Sequence, residues 1–396
     1  MLIDYQEAKK ITLAQAFDWG EERVLLAEAG GRVLAEPLRT DRPQPPFDRV
    51  TMDGIAINYA GYAAGRRTFP VAGVVAAGAE PVALTDPELC LEVMTGAVLP
   101  PGTTTVIRYE DLVREGESYR LPDGVEDAKN IHRRGSDAAD GQELLAKGAR
   151  IGGAAINLLA GCGYAEVLVK RLPRVAIVAT GDELVGVGET PLPHQIRMSN
   201  LYHLQHQLGT AGISASTHHL VDDKEVLSAA IRKLLSENDV LIFSGGVSKG
   251  KYDFLPEVLA SLGVDKLFHR VAQRPGKPIW VGRTERTMVF GLPGNPVSSL
   301  TGLLAYVGPF LRARLGLAER AELRRLATDF SFGKDLTLFQ IAAIDPATQL
   351  AQPVSNAGSG DASSMLRGDG LLVFPAERST FTAGETFSFI PFDQLL

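Results

Sequence analysis

The chain has 396 residues, a net charge of −7 and a mean hydropathy of +0.03. That length predicts several domains, and the acidic balance (pI near 5.6) argues against broad nucleic-acid binding. No run of 18 apolar residues is present, the charged N-terminus lacks a signal-peptide core, and two cysteines without a CxxC make no disulfide framework, so a soluble cytoplasmic protein is expected.

In chain order, residues 1–40 read as helical, led by "IDYQEAKKITLAQAF", and "RPQPPFDRVTMDG" (42–54) as extended or turn. From there to about 147, short apolar runs between Gly and Pro predict an all-β module. A helix is expected over Gly152–Ala160 and a strand over Glu166–Val169. From Leu172 the pattern changes. "RVAIVATGDEL", "ISASTHHLVDD", "DVLIFSGG", "KLFHRVA", "KPIWVGR" and "TMVFGLPG" read as strands. "MSNLYHLQHQLGTAG", "DKEVLSAAIRKLLSEN", "YDFLPEVLASLG" and "NPVSSLTGLLAYVGPFLRARLG" read as helices. Such alternation predicts βαβ units with a parallel-rich sheet. From about 322 the pattern returns to β; "ELRRLATDF" reads as a solvated charge run before the last domain. The fold class is therefore multidomain, α/β plus β.

Three strand ends carry small residues: "ATGDEL", "SGGVSKG" and "GLPGNP". Ligands of open parallel sheets sit beyond the carboxyl ends of strands, and glycines there let backbone N–H groups approach an anion. A phosphate-like oxyanion is the expected ligand, although neither GxxxxGK[ST] nor GxGxxG is present. Lys249, Lys251, His269, Arg270, Arg274, Lys277 and Arg283 crowd the same turns, as an anion site requires. Asp182, Glu183, Asp222, Asp223 and Asp253 could hold Mg²⁺ beside a phosphate, while Asp222 and Asp223 equally suit a helix N-cap. His203 and His206 are assigned to a helix surface, His218 and His219 to opposite faces of a strand, and Cys90 and Cys162 to the interior.

Taken in order, "TGDEL", "LVDD", "SGGVSKGKYD", "RPGKP" and "GLPGNPVSS" resemble the molybdenum insertases, the MoeA/gephyrin E-domain family. "PPFDRVTMDGIAI", "TGAVLPPGTTTVIRYED" and "RRGSDAADGQELLAKG" extend the resemblance over nearly the whole chain. It implies an elongated homodimer whose chain has a discontinuous linker domain (1–42 and 148–171), a β-rich module (43–147), a MoaB/Mog-like α/β domain (172–320) and a C-terminal β-barrel-like domain (321–396). It implies insertion of molybdate into adenylylated molybdopterin with Mg²⁺-dependent release of AMP, at a site shared between subunits. A molybdopterin adenylyltransferase and molybdoenzyme apoproteins are the implied protein partners.

Carried over motif by motif, Asp53, Thr95, Asp137, Glu183 and Asp253 would be catalytic. Thr180, Gly181, Asp223, Ser244, Gly245, Gly246, Ser248, Gly250, Lys277, Pro293, Gly294 and Asn295 would bind the pterin substrate. Glu183, Asp222 and Asp253 would hold Mg²⁺, and Arg270, Arg274, Pro293, Pro296 and Ser359 the molybdate. The chain departs from the family at Met198 in "MSN", at "GTTTVI" (Gly102–Ile107), at Arg270 and Arg274 where lysine is common, and at Gln340 where an arginine is. A gephyrin-like scaffold and an adenylyltransferase are the rival readings.

Overall fold

The computed structural model describes residues 2–247, 254–319 and 322–396. The chain forms two compact units. One comprises Met1–Ala35, Gly148–Gly152 and Glu166–Leu396, the other Glu36–Lys147 and Gly153–Ala165.

The larger unit is built on a six-stranded sheet. Its strands run in the spatial order Ala215–Leu220, Val175–Thr180, Val240–Ser244, Met288–Leu292, Trp280–Arg283 and Asp265–His269. The first four are parallel, and Trp280–Arg283 runs antiparallel to both of its neighbours. Apolar runs without alternation mark strands covered on both faces. Val175, Ile177 and Ala179 join one core with Val240, Ile242, Met288 and Phe290. Ala176, Val178, Leu241, Phe243 and Val289 point into the other. Helix Ser199–Thr210 covers the first face through Leu201, Leu204 and Leu208, and helix Lys224–Glu237 covers the second through Leu227, Ile231 and Leu234. Asp223 caps the latter by accepting from the N–H groups of Glu225 and Val226.

The expected single helix after Asn295 is three segments: α over Pro296–Gly302, π over Leu303–Val307, and α over Gly308–Arg314. Pro309 has no N–H and its ring would crowd the carbonyl four residues back, so the wider turn accommodates it.

Five strands near the C-terminus close into a barrel: Thr337–Ile344, Leu350–Pro353, Glu322–Leu326, Thr386–Pro391 and Gly370–Phe374, the last pairing back to the first. Phe374, Phe381 and Phe387 fill it, with Phe330 stacked 4.9 Å from Phe374. The run "ELRRL", read from sequence as a solvated charge run before the last domain, is thus a strand of the barrel itself. Its exposure alternates along the strand, and pairing with Thr386–Pro391 overrides its polar composition.

The N-terminal helix is shorter than expected. It spans Tyr5–Leu13, capped by Asp4, and Glu21–Leu25 is a strand paired with Glu166–Lys170. That non-local pairing outweighs the local helical pattern.

The smaller unit carries a six-stranded sheet in the order Thr105–Arg108, Gly54–Ile57, Cys90–Val93, Thr68–Val75, Ser118–Arg120 and Val113–Glu115. Ile55 and Ile57 enter one core and Ala56 the other, so the strand Gly54–Ile57 is buried on both faces. A short helix, Tyr59–Ala63, capped by Asn58, interrupts the β pattern, and the helix expected over Gly152–Ala160 is found at Gly153–Gly161. Cys90 is buried, its thiol pushed up to about 12 by desolvation, which removes it as a nucleophile.

Candidate active site

The parallel strands place their carboxyl ends side by side. Ala179 is level with Ser244, and Ser244 with Leu292. The chain leaves Val175–Thr180 for the neighbour on one side, Ala215–Leu220, then crosses the opposite face to Val240–Ser244 on the other. This reversal is a topological switch point, where the diverging connections leave a crevice.

A pocket of about 390 Å³ lies there, lined by Thr180, Glu183, Asn200, Ser244, Gly245 and Gly294 among others. Gly245 has φ +105° and Gly246 φ +69°. A Cβ on Gly245 would stand 2.9 Å from the Thr180 carbonyl oxygen, and one on Gly246 2.8 Å from Thr180 Oγ1. Both glycines are therefore required by backbone conformation and by close approach. Thr180 Oγ1 is buried and has no hydrogen-bond partner among the described residues. Such an atom beside the pocket has capacity left for a ligand. The Glu183 carboxylate folds over Gly181, where it would stand 2.3 Å from a Cβ.

Two polar side chains that the motif reading did not rank complete this pocket's frame. Asn200 Nδ2 donates to Ser244 Oγ at 3.0 Å and to the Gly294 carbonyl at 2.7 Å, tying two strand ends together. His219 Nε2 lies 2.9 Å from the Gly181 carbonyl. A carbonyl only accepts, so that nitrogen carries the proton.

A second cleft, of about 690 Å³, adjoins it and shares Asn295. Arg274, Lys277 and Lys334 line it, with Pro293, Asn295 and Ser359, and no acidic residue among the described ones does. Asn295 Nδ2 donates to Ser359 Oγ at 2.8 Å, and Val297 N to the Ser359 carbonyl at 3.1 Å. Asp361 shapes that loop from within. It accepts from Ser363 Oγ, Ala357 N and Ser364 N, and the Ser363 bond is the largest cause holding its carboxyl below the usual range. Gln340 faces the cleft, but its amide donates to the Val354 and Ile341 carbonyls.

Of the residues named from sequence, Thr180, Glu183, Ser244, Gly245, Gly294, Asn295 and Pro296 line the first pocket. Arg274, Lys277, Pro293 and Ser359 line the second. Gly181 and Gly246 stand just behind the first. Arg270 lines neither; it has φ +74° and its N–H donates to the Ile279 carbonyl. Asp223 caps its helix, and the Asp222 N–H donates to Asp182 Oδ1 at 3.1 Å. Ser248, Lys249, Gly250, Lys251 and Asp253 lie outside the described residues. Among the described residues no three His, Cys, Asp or Glu side chains group closely enough to enclose a metal. Glu183, the acid that lines the first pocket among the described residues, is a hard oxygen donor, which fits an ion that takes one or two carboxylates and completes its shell with substrate oxygens and water.

The smaller unit presents its own polar cluster. Thr95 donates to Asp53 Oδ1 from both N (2.6 Å) and Oγ1 (2.8 Å). The backbone bond, then the hydroxyl, holds the Asp53 carboxyl below its ordinary value. Gly54 follows because a Cβ there would stand 1.9 Å from the Ile107 carbonyl oxygen. Asp48 accepts from Arg134 N at 2.8 Å and Arg133 Nη1 at 2.7 Å, which likewise lowers its pKa, the Arg134 N–H first. Asp137 pairs with His132 at 2.7 Å. Asp48, Arg49 and His132 escaped the motif reading. Their only sequence signal was proximity to "MDG" and "RRGSD".

Sequence profiles of known families match three successive segments. Residues 3–163 match the MoeA N-terminal region (domain I and II), 176–313 a probable molybdopterin binding domain, and 324–392 the MoeA C-terminal region (domain IV). A Synechocystis sp. protein named molybdopterin molybdenumtransferase is 40% identical over 98% of this chain and 99% of its own. One of the same name from Bacillus subtilis is 32% identical over 92% of this chain and 88% of its own. Among solved structures, the molybdopterin biosynthesis MoeA protein of Pyrococcus horikosii superposes with a TM-score of 0.84 at 29% identity, covering 99% of both chains.

Proposed function

The chain belongs to the MoeA family of molybdopterin molybdenumtransferases, and on that premise we propose that it is the molybdenum cofactor biosynthetic enzyme that inserts molybdate into adenylylated molybdopterin, releasing AMP. One observation supports this most. A glycine-walled pocket at the switch point adjoins a cleft lined by Arg274, Lys277 and Lys334 and, among the described residues, by no acid, in a protein of net charge −7. The first suits a phosphorylated pterin held by backbone groups; the second suits a small oxyanion.

In this reading Gly245, Gly246 and Thr180 seat the pyrophosphate and pterin. Asn200 keeps the strand ends in register for them. Arg274 and Lys277 neutralise molybdate and hold it next to the substrate, with Asn295 and Ser359 between the two subsites. Glu183, with Asp222 and Asp253, would hold Mg²⁺, which when bound would neutralise phosphate charge beside the bond to AMP. Asp53, Thr95 and Asp137 act from the β-rich unit of a partner subunit in a homodimer. The protein works in the cytoplasm, between the enzyme that adenylylates molybdopterin and the apoproteins that take the cofactor.

The test is direct. Purified protein is mixed with adenylylated molybdopterin and Mg²⁺, and AMP release is followed with and without molybdate. Release that depends on molybdate is expected. Substrate binding without release would indicate a scaffold, and turnover that consumes ATP would indicate an adenylyltransferase.

A further inference from the structure

Asp137 is not alone in its cluster. The two-residue strands Arg49–Val50 and Ile131–His132 pair antiparallel, with His132 directly opposite Arg49. Directly opposed residues put their side chains on the same face of the ladder. Arg49 Nη2 lies 3.0 Å from His132 Nδ1, and His132 Nε2 lies 2.7 Å from Asp137 Oδ1. A guanidinium only donates. Nδ1 must therefore be the bare, accepting nitrogen, and the ring proton must sit on Nε2, where it is donated to Asp137. The tautomer is set from the far side of the ring.

We propose that His132 is a positioning residue for Asp137: Arg49 fixes its tautomer, and the ring then fixes the orientation of the carboxylate. This rests on Asp137 taking part in the reaction, as read above. The Asp137 backbone is already anchored, its N–H donating to the Gln44 carbonyl at 2.9 Å. Ser136 Oγ reaches the same Oδ1 at 3.3 Å. Both side-chain bonds land on Oδ1, so Oδ2 is the oxygen left to accept from a substrate. Arg133 and the Arg134 N–H are engaged by Asp48. A protonated ring would set Nδ1–H against the Arg49 N–H groups, so the contact as built belongs to the neutral imidazole.

The tautomer itself is measurable. In ¹⁵N-histidine spectra at mildly alkaline pH, His132 should show the Nε2–H form, and Arg49→Leu should convert it to a mixture. Activity supplies the second arm. His132→Phe keeps a planar ring and removes the donor; it should lower kcat for AMP release by about tenfold with little change in KM. His132→Gln, whose amide reaches the Nε2 position, should restore most of that loss. In an Asp137→Asn background His132→Phe should cost little more, because a residue acting through Asp137 has nothing left to orient. Wild-type kcat in His132→Phe, with Asp137→Asn impaired, overturns the proposal and leaves the role of Asp137 standing. Full activity in Asp137→Asn overturns the reading of Asp137 and the proposal with it.

Discussion

Asp53 shows how a surface carboxylate is made ready without burial. It is fully exposed, so its lowered pKa comes from two donors on one residue, Thr95, and not from a charged neighbour. The backbone N–H is the larger cause and the hydroxyl the second. Because the folded value lies below the unfolded one, the associated stability is present above the ordinary aspartate range. It is lost as pH falls through the folded value. Near neutral pH the group is a fixed anion. Thr95→Ala removes one donor and keeps the other. A ¹³C-carboxyl titration should therefore find Asp53 shifted upward part of the way to its ordinary value. An unchanged titration would mean the hydroxyl does not bond the carboxylate in solution. "MDG" and "TGA" named these two residues, but nothing local revealed that they bond each other across 42 positions.

The strand ends were the most legible elements. "VAIVAT" and "VLIFS" are apolar up to their last residue and "MVFGL" throughout, and all are buried. Such runs with glycine at the end predict both a covered sheet and a ligand edge. What could not be read locally is what distant pairing decides. The Glu21–Leu25 strand takes its identity from Glu166–Lys170, and the Arg49–His132 pair comes from strands of two residues each. Asp222 and Asp223 were open between metal ligand and cap, and for Asp223 the cap is what the structure shows. Gly245 and Gly246 should be separable by mutation. A Cβ on Gly245 meets a backbone carbonyl that cannot turn away; on Gly246 it meets the Thr180 hydroxyl oxygen, which gives way only if that buried side chain changes rotamer. Gly245→Ala should cost about 1–3 kcal/mol in urea melts, and Gly246→Ala about 1 kcal/mol, mostly for its left-handed φ. Gly246→Ala should also weaken adenylylated-molybdopterin binding equally at low and high salt, whereas Lys277→Ala should weaken molybdate binding, and more so at low salt. Calorimetric titration at two ionic strengths distinguishes them. Wild-type affinity in Gly246→Ala would reduce the two glycines to a turn.

At the scale of the whole molecule, the two polar clusters belong to different compact units. Asp53, Thr95 and Asp137 lie on the smaller, and Thr180, Glu183 and Gly245 on the larger. In the reading proposed above, the larger supplies a seat for phosphate and oxyanion and the smaller a set of oriented carboxylates. The proposed homodimer, in which each reaction centre draws one cluster from each subunit, predicts complementation. Asp53→Asn and Glu183→Gln homodimers should each be nearly inactive. After subunit exchange, half the dimers are mixed, and each mixed dimer carries one centre with both defects and one with neither. Roughly a quarter of all centres are then intact, so activity should rise to about a quarter of wild type. If both clusters instead served a centre within one chain, every centre in the mixture would still carry a defect, and exchange confirmed by native mass spectrometry would bring no recovery.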